Sequence, residues 1–314
     1  MSSTTAPRSG GGRAFDNQHV VSQAVLRRWL DGEPRLLEVY QRDSGLVSLA
    51  PTNEVCAIEN FIHDDPARAE RTWGAHERRL GDFYRALAEE RLFDDARALQ
   101  TARTMLALHA ARSYTMRDVS VRAQALAREK VAHDLVAKYP DELIAEIHNQ
   151  SLLFVPITYA VLLDQARRAV DRNSGPLMLG GAVFRDRLFA HFRRARQLMK
   201  AQKGLEVLVP VDPASEFVIG DDPVLIPSSQ RDGRFGPCQG VRWLEAETFF
   251  MPLSPRHVIA VGPANVWRDV NDDVVQWMNL HQLRQSRRHL VTRPGSGLAH
   301  WAADVIRTTV ESAA

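Results

Sequence analysis

The sequence predicts an α+β fold with a mainly helical centre and a small mixed or antiparallel sheet. Helical apolar spacing dominates from about 64 to 203, strand-like alternation replaces it from about 204 to 262, and helical spacing returns over about 272–312. A hairpin near the amino end adds strands, which we expect to join the C-terminal strands in a sheet. We therefore predict a single α+β domain over 16–314, preceded by a disordered tail at 1–15.

The composition excludes several classes of protein. The chain has 314 residues, of which 45% are apolar and 25% are charged, which is typical of a globular protein. No apolar run approaches the roughly 20 residues of a membrane helix, and the amino end lacks the apolar segment of a secretory signal. We expect a cytoplasmic protein without a membrane partner. The 40 basic residues include four lysines and 36 arginines, but 38 acidic residues are interspersed among them, so the chain as a whole is not a polycation.

The first elements are a helix and a hairpin. Apolar residues at helical spacing predict a helix over 21–29, which the turn residues of Asp31–Pro34 end. Two strand-like runs at 36–40 and 46–49 flank the turn cluster Arg42–Gly45. This arrangement predicts a β-hairpin.

The central region reads as a series of helices. Asp65-Pro66 suits a helix start, because Asp caps the first turn and Pro is tolerated there. Pro140, Pro156 and the segment 173–176 separate the later helices. After the helix that starts at Asp65, helices are predicted over 94–113, 119–138, 141–150, 157–170, 184–200, 274–289 and 300–311.

From Gly204 the apolar residues alternate as in strands. The loop residues of 228–240 divide this region into two parts. Strands are predicted over 205–209, 216–219, 223–226, 248–251 and 257–261.

Several segments, taken in order, resemble the bacterial family catalogued as domain of unknown function 4238. The segments that carry the resemblance are Gln18-His19-Val20-Val21-Ser22, Asn53 with Glu59, Glu77, His109-Ala110-Ala111-Arg112, Phe217–Val224, Met251–Pro255 and Asn279–Arg288. Ser22 stands where the family has Pro, and His109 where it has Gln. The resemblance covers about 17–291 and implies an architecture and a set of polar positions, Glu59 and Glu77 among them, but no reaction.

Glu77 lies beside the buried stripe of its helix, because Trp73 is four residues before it and Leu80 three residues after it. A carboxylate near the core needs a partner, which Arg112 or His19 could supply. A Glu–Arg brace between helices is one interpretation. An acid–base pair or a two-carboxylate metal site is the other.

His19 and Asp221 each have a chemical and a structural interpretation. His19 precedes the first helix and could act as a general base or metal ligand, or could pack beside Trp29 and bond a backbone carbonyl. Asp221 sits where a strand meets a loop, where a carboxylate could reach a metal or substrate, or could form a local Asx turn before Pro223.

Two Arg–His spacings, Arg103…His109 and Arg284…His289, resemble the signature of HEPN-type ribonucleases. Six residues on a helix leave such a pair about 120° apart, so the two side chains do not share a stripe. The chain has no P-loop, dinucleotide glycine fingerprint, His-Glu-x-x-His or Gly-x-Ser-x-Gly, which disfavours ATPases, Rossmann dehydrogenases, zincins and α/β-hydrolases.

The sequence thus leaves two functions open. The first is a hydrolase of a phosphoester or nucleic-acid substrate, in which His19, Glu59, Glu77 and Asp221 converge, with Arg112 as a charge clamp. Glu77 and Asp221 would then be the ligands of a Mg²⁺ or Mn²⁺ ion. The second is a non-catalytic binding or regulatory module, of a defence or toxin-type system, in which the same residues brace the fold.

Overall fold

The computed structural model describes residues 17–30, 35–59, 61–62, 64–150, 156–173, 181–201, 204–230 and 233–311. The predicted tail at 1–15 lies outside these residues. The α+β class is confirmed. The helices are α1 Gln23–Leu26, α2 Pro66–Glu77, α3 Leu80–Ala88, α4 Ala96–Ala111, α5 Tyr114–Lys138, α6 Pro140–Gln150, α7 Tyr159–Asn173, α8 Ala182–Ala201, α9 Asp272–Gln285 and α10 Leu298–Glu311.

The strands form a two-stranded ribbon and two four-stranded sheets in the described part of the chain. The ribbon pairs β1 with β4, so that His19 lies opposite Ala57. The strands are β1 Asn17–His19, β2 Leu37–Gln41, β3 Leu46–Ala50, β4 Ala57–Glu59, β5 Gly204–Pro210, β6 Ile219–Gly220, β7 Phe250–Ser254, β8 His257–Gly262, β9 Val266–Val270 and β10 His289–Thr292.

The predicted hairpin joins C-terminal strands in the first sheet, whose order is β3-β2-β10-β6. The hairpin strands β2 and β3 pair from Leu37 opposite Ala50 to Gln41 opposite Leu46. Strand β10 then lies antiparallel to both β2 and β6. The N-terminal and C-terminal parts of the chain are therefore built into one sheet.

The second sheet has the order β7-β8-β5-β9, in which β5 and β9 are parallel and the other pairs are antiparallel. The segment predicted as a strand over 223–226 forms only an isolated bridge between Leu225 and Phe250. Pro223 and Pro227 flank it, and a proline has no N–H to continue a ladder.

Several elements differ from the prediction in their bounds, and one strand was not predicted. The first helix is shorter: α1 ends at Leu26 and a 3₁₀ turn covers Arg27–Trp29. The helix predicted to run to His289 ends at Gln285, because Ser286 takes extended backbone angles and His289 opens β10. Strand β9 was not predicted, since its exposed Arg268 and Asp269 hide the alternation.

Helix α2 begins where the capping pattern predicts. The Asp65 side chain accepts a hydrogen bond from the Arg68 N–H, and Pro66 occupies the first helical position. Asp95 caps α4 in the same way, accepting from the N–H groups of Arg97 and Ala98.

Helix α4 lies at the centre of the main core, packed against α8, α3 and α2. Most of its residues are buried, and many are alanines that allow close approach on several sides. Trp73 and Phe184 pack against Phe61 within this core. Since the carboxyl end of α4 is also buried, polar residues there must find partners inside the protein. No described helix is both long and apolar enough to cross a membrane.

Candidate functional site

Four side chains meet at the carboxyl end of α4. Ser22 directly precedes α1, Glu77 is the last residue of α2, and His109 and Arg112 lie in and just after the last turn of α4. We call Ser22, Glu77, His109 and Arg112 the buried polar cluster. It joins segments that are 35 to 90 residues apart in the chain.

Glu77 and Ser22 are the centre of the hydrogen-bond network. The Ser22 hydroxyl donates to Glu77 Oε1 at 2.5 Å. Arg112 Nη2 donates to the same carboxylate oxygen at 2.6 Å and to Ser22 Oγ at 3.0 Å. A partly buried carboxylate is thereby held by charge-assisted hydrogen bonds from one hydroxyl and one guanidinium.

The histidine completes the network as an acceptor. His109 Nδ1 lies 2.9 Å from the Met105 carbonyl oxygen, which can only accept, so Nδ1 carries the hydrogen. Nε2 is therefore the acceptor, and it receives the Ser22 backbone N–H at 3.1 Å. The Ser22 hydroxyl also lies 3.1 Å from Nε2, but its proton is directed to Glu77.

The electrostatics of the cluster follow from burial and from the Arg112 charge. Burial by itself raises the pKa of Glu77, but the Arg112 charge and the hydrogen bonds from Ser22 and Arg112 outweigh it and lower that pKa to about 2. Burial and the Arg112 charge lower the pKa of His109 to about 4. At neutral pH the cluster thus holds one anion, one cation and a neutral imidazole. The Arg112 guanidinium also lies over the Trp73 ring, 4.9 Å from its centroid.

Three of the four residues of the cluster are enclosed, and Glu77 is partly exposed. The exposed fractions of Ser22, His109 and Arg112 are 1%, 0% and 2%, and that of the Glu77 side chain is 27%. The cavity lined by Glu77 and His109 measures about 10 Å³, which is about the space of one water molecule.

His19 lies near the cluster but bonds elsewhere. Its Nε2 atom is 3.2 Å from the Thr52 carbonyl oxygen and 3.4 Å from the Gln23 side-chain nitrogen. Burial lowers the pKa of His19, and the positive charge of Arg112 lowers it further, although the Thr52 carbonyl opposes the shift. The ring is half-buried and bonds a backbone carbonyl, which is the structural role considered for it.

Glu59 is the last residue of β4, where it lies opposite Asn17 on the ribbon and is exposed. Within the described residues, no hydrogen bond or ion pair links the Glu59 side chain to the buried polar cluster. The structure therefore brings Glu77 and Arg112 into direct contact, with His19 nearby, and leaves Glu59 outside that contact.

Asp221 is buried in a different environment. Its carboxylate accepts the backbone N–H groups of Arg287, Arg288 and His289 at 2.7, 2.8 and 3.1 Å. Burial raises the pKa of Asp221, whereas these three N–H groups and the nearby His289 lower it. The residue holds the turn between α9 and β10, and Cys56 N–H donates to His289 Nδ1 beside it.

Asp222 anchors the start of α5. It accepts the backbone N–H of Thr115 at 3.1 Å and, in addition, the Thr115 hydroxyl. Burial raises the pKa of Asp222 to about 7, opposed by the Thr115 hydroxyl and supported by the charge of Asp221. The pair Asp221-Asp222 thus fastens two distant turns of the chain.

The donor set does not fit a metal ion. Among the described residues, no group of three or more His, Cys, Asp or Glu side chains is arranged to hold one. Glu77 is bonded to Ser22 and Arg112, and Asp221 is bonded to three backbone N–H groups. Glu77 Oε1 and both Asp221 oxygens are engaged in separate networks, so we derive no step through Mg²⁺ or Mn²⁺.

The Arg–His spacings do not form a catalytic pair either. Arg103 and His109 both lie on α4, where six residues place them about 120° apart. Arg284 lies on α9, but His289 belongs to β10. His109 is engaged with Ser22 instead.

Sequence reasoning did not identify Ser22 and His109 as site residues. Both residues depart from the resembled pattern, Ser for Pro and His for Gln, and the structure places them in contact. A proline at position 22 would have no N–H to give to His109. The paired departures were therefore the signal that could have found the contact.

One of the comparisons with known proteins, the one with family models, finds a match. Neither the curated proteins nor the solved structures include a significant match to this chain. A family model described as protein of unknown function (DUF4238) matches residues 17–296, which is most of the chain. The match includes every residue of the buried polar cluster. The chain belongs to the DUF4238 family.

Proposed function

We propose that this protein is a non-catalytic binding module, in which the buried polar cluster fixes the N-terminal segment to the helical core. One observation carries the proposal: Ser22, His109 and Arg112 are sealed from solvent and bond to Glu77 and to one another, although Arg112 Nε is buried without a hydrogen-bond partner among the described residues. A substrate has no route to these atoms in this arrangement.

The protonation states also suit a brace better than acid–base catalysis. With a pKa of about 2, Glu77 is ionised at neutral pH and is a weak proton acceptor. With a pKa of about 4, His109 is neutral, and its Nε2 lone pair already accepts the Ser22 N–H. A catalytic acid or base works best when its pKa is near the operating pH.

The cluster fixes the position of the chain segment that follows Ser22. Ser22 anchors the start of α1, and the Trp29 indole N–H, at the end of the following 3₁₀ turn, donates to the Phe217 carbonyl at 3.1 Å. The segment between these anchors is held at both ends. Arg27 and Arg28 lie between them and are exposed, so the brace sets their position on the surface.

A combined activity and stability assay tests the proposal. The full-length protein, Glu77→Gln and Asp82→Asn are incubated with p-nitrophenyl phosphate, bis-p-nitrophenyl phosphate and single-stranded RNA, with Mg²⁺ and with Mn²⁺. We expect no turnover by any of the three proteins. We expect a lower melting temperature for Glu77→Gln and an unchanged one for Asp82→Asn, a matched control whose carboxylate is exposed on α3.

The opposite result is equally well defined. Hydrolysis by the wild-type protein that is lost in a folded Glu77→Gln variant, while Asp82→Asn retains it, would overturn the proposal and establish the hydrolase hypothesis. A Glu77→Gln variant that melts at the wild-type temperature would also contradict the brace.

A further inference from the structure

We propose that a pocket between the first 3₁₀ turn and α3 binds the phosphate group of a small phosphorylated ligand through its arginines. The pocket, called here the arginine pocket, is lined by Ala24, Arg27, Arg28, Leu30, Arg35, Leu80, Gly81 and Tyr84. This inference rests on the proposed function, because it names the ligand class of a binding module. It concerns a different set of residues from the buried polar cluster.

The size of the arginine pocket suits a small ligand. Its volume is about 520 Å³, within the roughly 300–1,000 Å³ that small-molecule sites span. Leu30, Leu80, Ala24 and Gly81 supply an apolar part, while the arginines supply positive charge. Because a recess of this volume accommodates a whole small compound, we assign it a small phosphorylated ligand and leave a polymer as an outcome of the test.

Arg27 and Arg28 bring two guanidinium groups to the arginine pocket, and none of the described lining residues is acidic. Within the described part of the chain, no ion pair joins Arg27 or Arg28 to a carboxylate. Guanidinium groups are well matched to phosphate oxygens, which these two side chains could bind together.

Arg28 is oriented in advance of binding. Its guanidinium lies over the Tyr84 ring, 4.0 Å from the centroid. Tyr84 is itself fixed, because it is buried and its hydroxyl donates to the Leu253 carbonyl at 3.3 Å. A guanidinium stacked by its face keeps the N–H groups of its edge for a ligand, and its orientation costs little further entropy on binding.

Arg27 is also held in place. Its Nη2 atom donates to the Gln23 side-chain oxygen at 3.3 Å, and the Gln23 amide in turn contacts His19. The backbone that carries Arg27 and Arg28 is anchored by Ser22 and Trp29, as described above. The pocket therefore has two oriented arginines on a fixed segment.

A second arginine-rich cavity on the other side of α3 provides an internal comparison. It is lined by Arg79, Arg85, Arg91 and Arg97, but also by Asp82 and Asp95. Arg85 pairs with Asp82 at 3.3 Å, so its charge is compensated. Arg85 thus offers a matched control on the same helix.

Isothermal titration calorimetry tests the proposal with pyrophosphate, adenosine monophosphate and inorganic phosphate as probes. The proteins are the wild type, Arg28→Gln, Arg27→Gln and Arg85→Gln, each at low and at moderate salt. We expect saturable binding of at least one small probe to the wild type. Arg28→Gln should weaken it at least tenfold, Arg27→Gln should weaken it several-fold, and Arg85→Gln should leave it within twofold.

Three results would overturn the assignment. The first is no binding of any small phosphate compound, and the second is equal weakening by Arg28→Gln and Arg85→Gln. The third is binding of single-stranded RNA alone, which would mean a polymer surface in place of a small-ligand pocket. Circular dichroism of each variant shows that it is folded. Turnover of a phosphoester would overturn the proposed function and leave this binding result unaffected, so the two failures can be distinguished.

Discussion

The buried polar cluster and the arginine pocket use the same charged group in opposite ways. Arg112 is enclosed, pairs with Glu77 at 2.6 Å and packs over Trp73. Arg28 is exposed, is oriented by Tyr84 and lines a recess in which none of the described lining residues is acidic. Leu80 lines both cavities, so the two regions lie on either side of it. The Arg112 charge is compensated inside the fold and stabilises the protein. The Arg28 charge is oriented, forms no ion pair within the described residues, and is therefore available to a ligand.

The largest expected effect is the loss of protein stability when the enclosed Arg112 is replaced. Arg112→Met leaves Glu77 ionised without its cation and removes a donor from Ser22. We expect the free energy of unfolding to fall by about 3 to 4 kcal/mol, since breaking a buried pair strands its other member. Urea denaturation measures this loss. The exposed pair Arg307–Asp304 is the control, and Arg307→Met should cost less than about 1 kcal/mol. Equal losses in the two variants would contradict the comparison.

Asp221 extends the comparison to a buried charge that is compensated by the backbone. In Asp221→Asn an amide N–H₂ replaces one acceptor oxygen and faces the N–H groups of residues 287–289. We expect a loss of about 2 to 3 kcal/mol, because hydrogen bonds to a charged group are strong and a buried donor is left unpaired. Urea denaturation checks this value. A loss below about 0.5 kcal/mol would mean that the turn does not depend on the carboxylate.

The pH dependence sharpens the comparison for Glu77. Its pKa in the folded protein is about 2, below the ordinary value of 4.5, so the unfolded chain binds more protons between these values. The stabilisation is complete above about pH 4.5 and is lost as the pH falls toward 2. We expect the stability difference between wild type and Glu77→Gln to shrink by about 2 kcal/mol between pH 7 and pH 3. Urea midpoints at several pH values measure it, and a constant difference would contradict the shift.

The smallest effect is expected at the arginine pocket. Arg28→Gln should change the free energy of unfolding by less than about 1 kcal/mol, since an exposed cation–π contact contributes little. Arg85→Gln on α3 is the matched control, with an equally small change. Thermal melts measure both. If Arg28→Gln lost as much stability as Arg112→Met, Arg28 would be a structural residue and not a ligand-binding one.

Local signals predicted the elements that depend on local chemistry. The Asp65-Pro66 cap and the turn before Leu46 are features of adjacent residues, and both appear where expected. The sequence also placed Glu77 beside the buried stripe of its helix. Arg112, its partner in the structure, was one of the two partners expected for it.

Long-range pairing explains what the sequence did not reveal. Strand β10 exists because its backbone pairs with β2, nearly 250 residues earlier in the chain, and the turn before it is held by Asp221. The Ser22–His109 contact spans 87 residues. A single sequence contains no spacing rule for such partners, so their geometry emerges only in the folded protein.

A double-mutant cycle on Glu77 and Arg112 tests the central claim most directly. The free energies of unfolding of the wild type, Glu77→Gln, Arg112→Met and the double variant are measured by urea denaturation at pH 7. If the two side chains form a buried brace, the double variant should be more stable than the sum of the single losses implies, by about 2 kcal/mol. Losses that add to within about 0.5 kcal/mol would contradict the account.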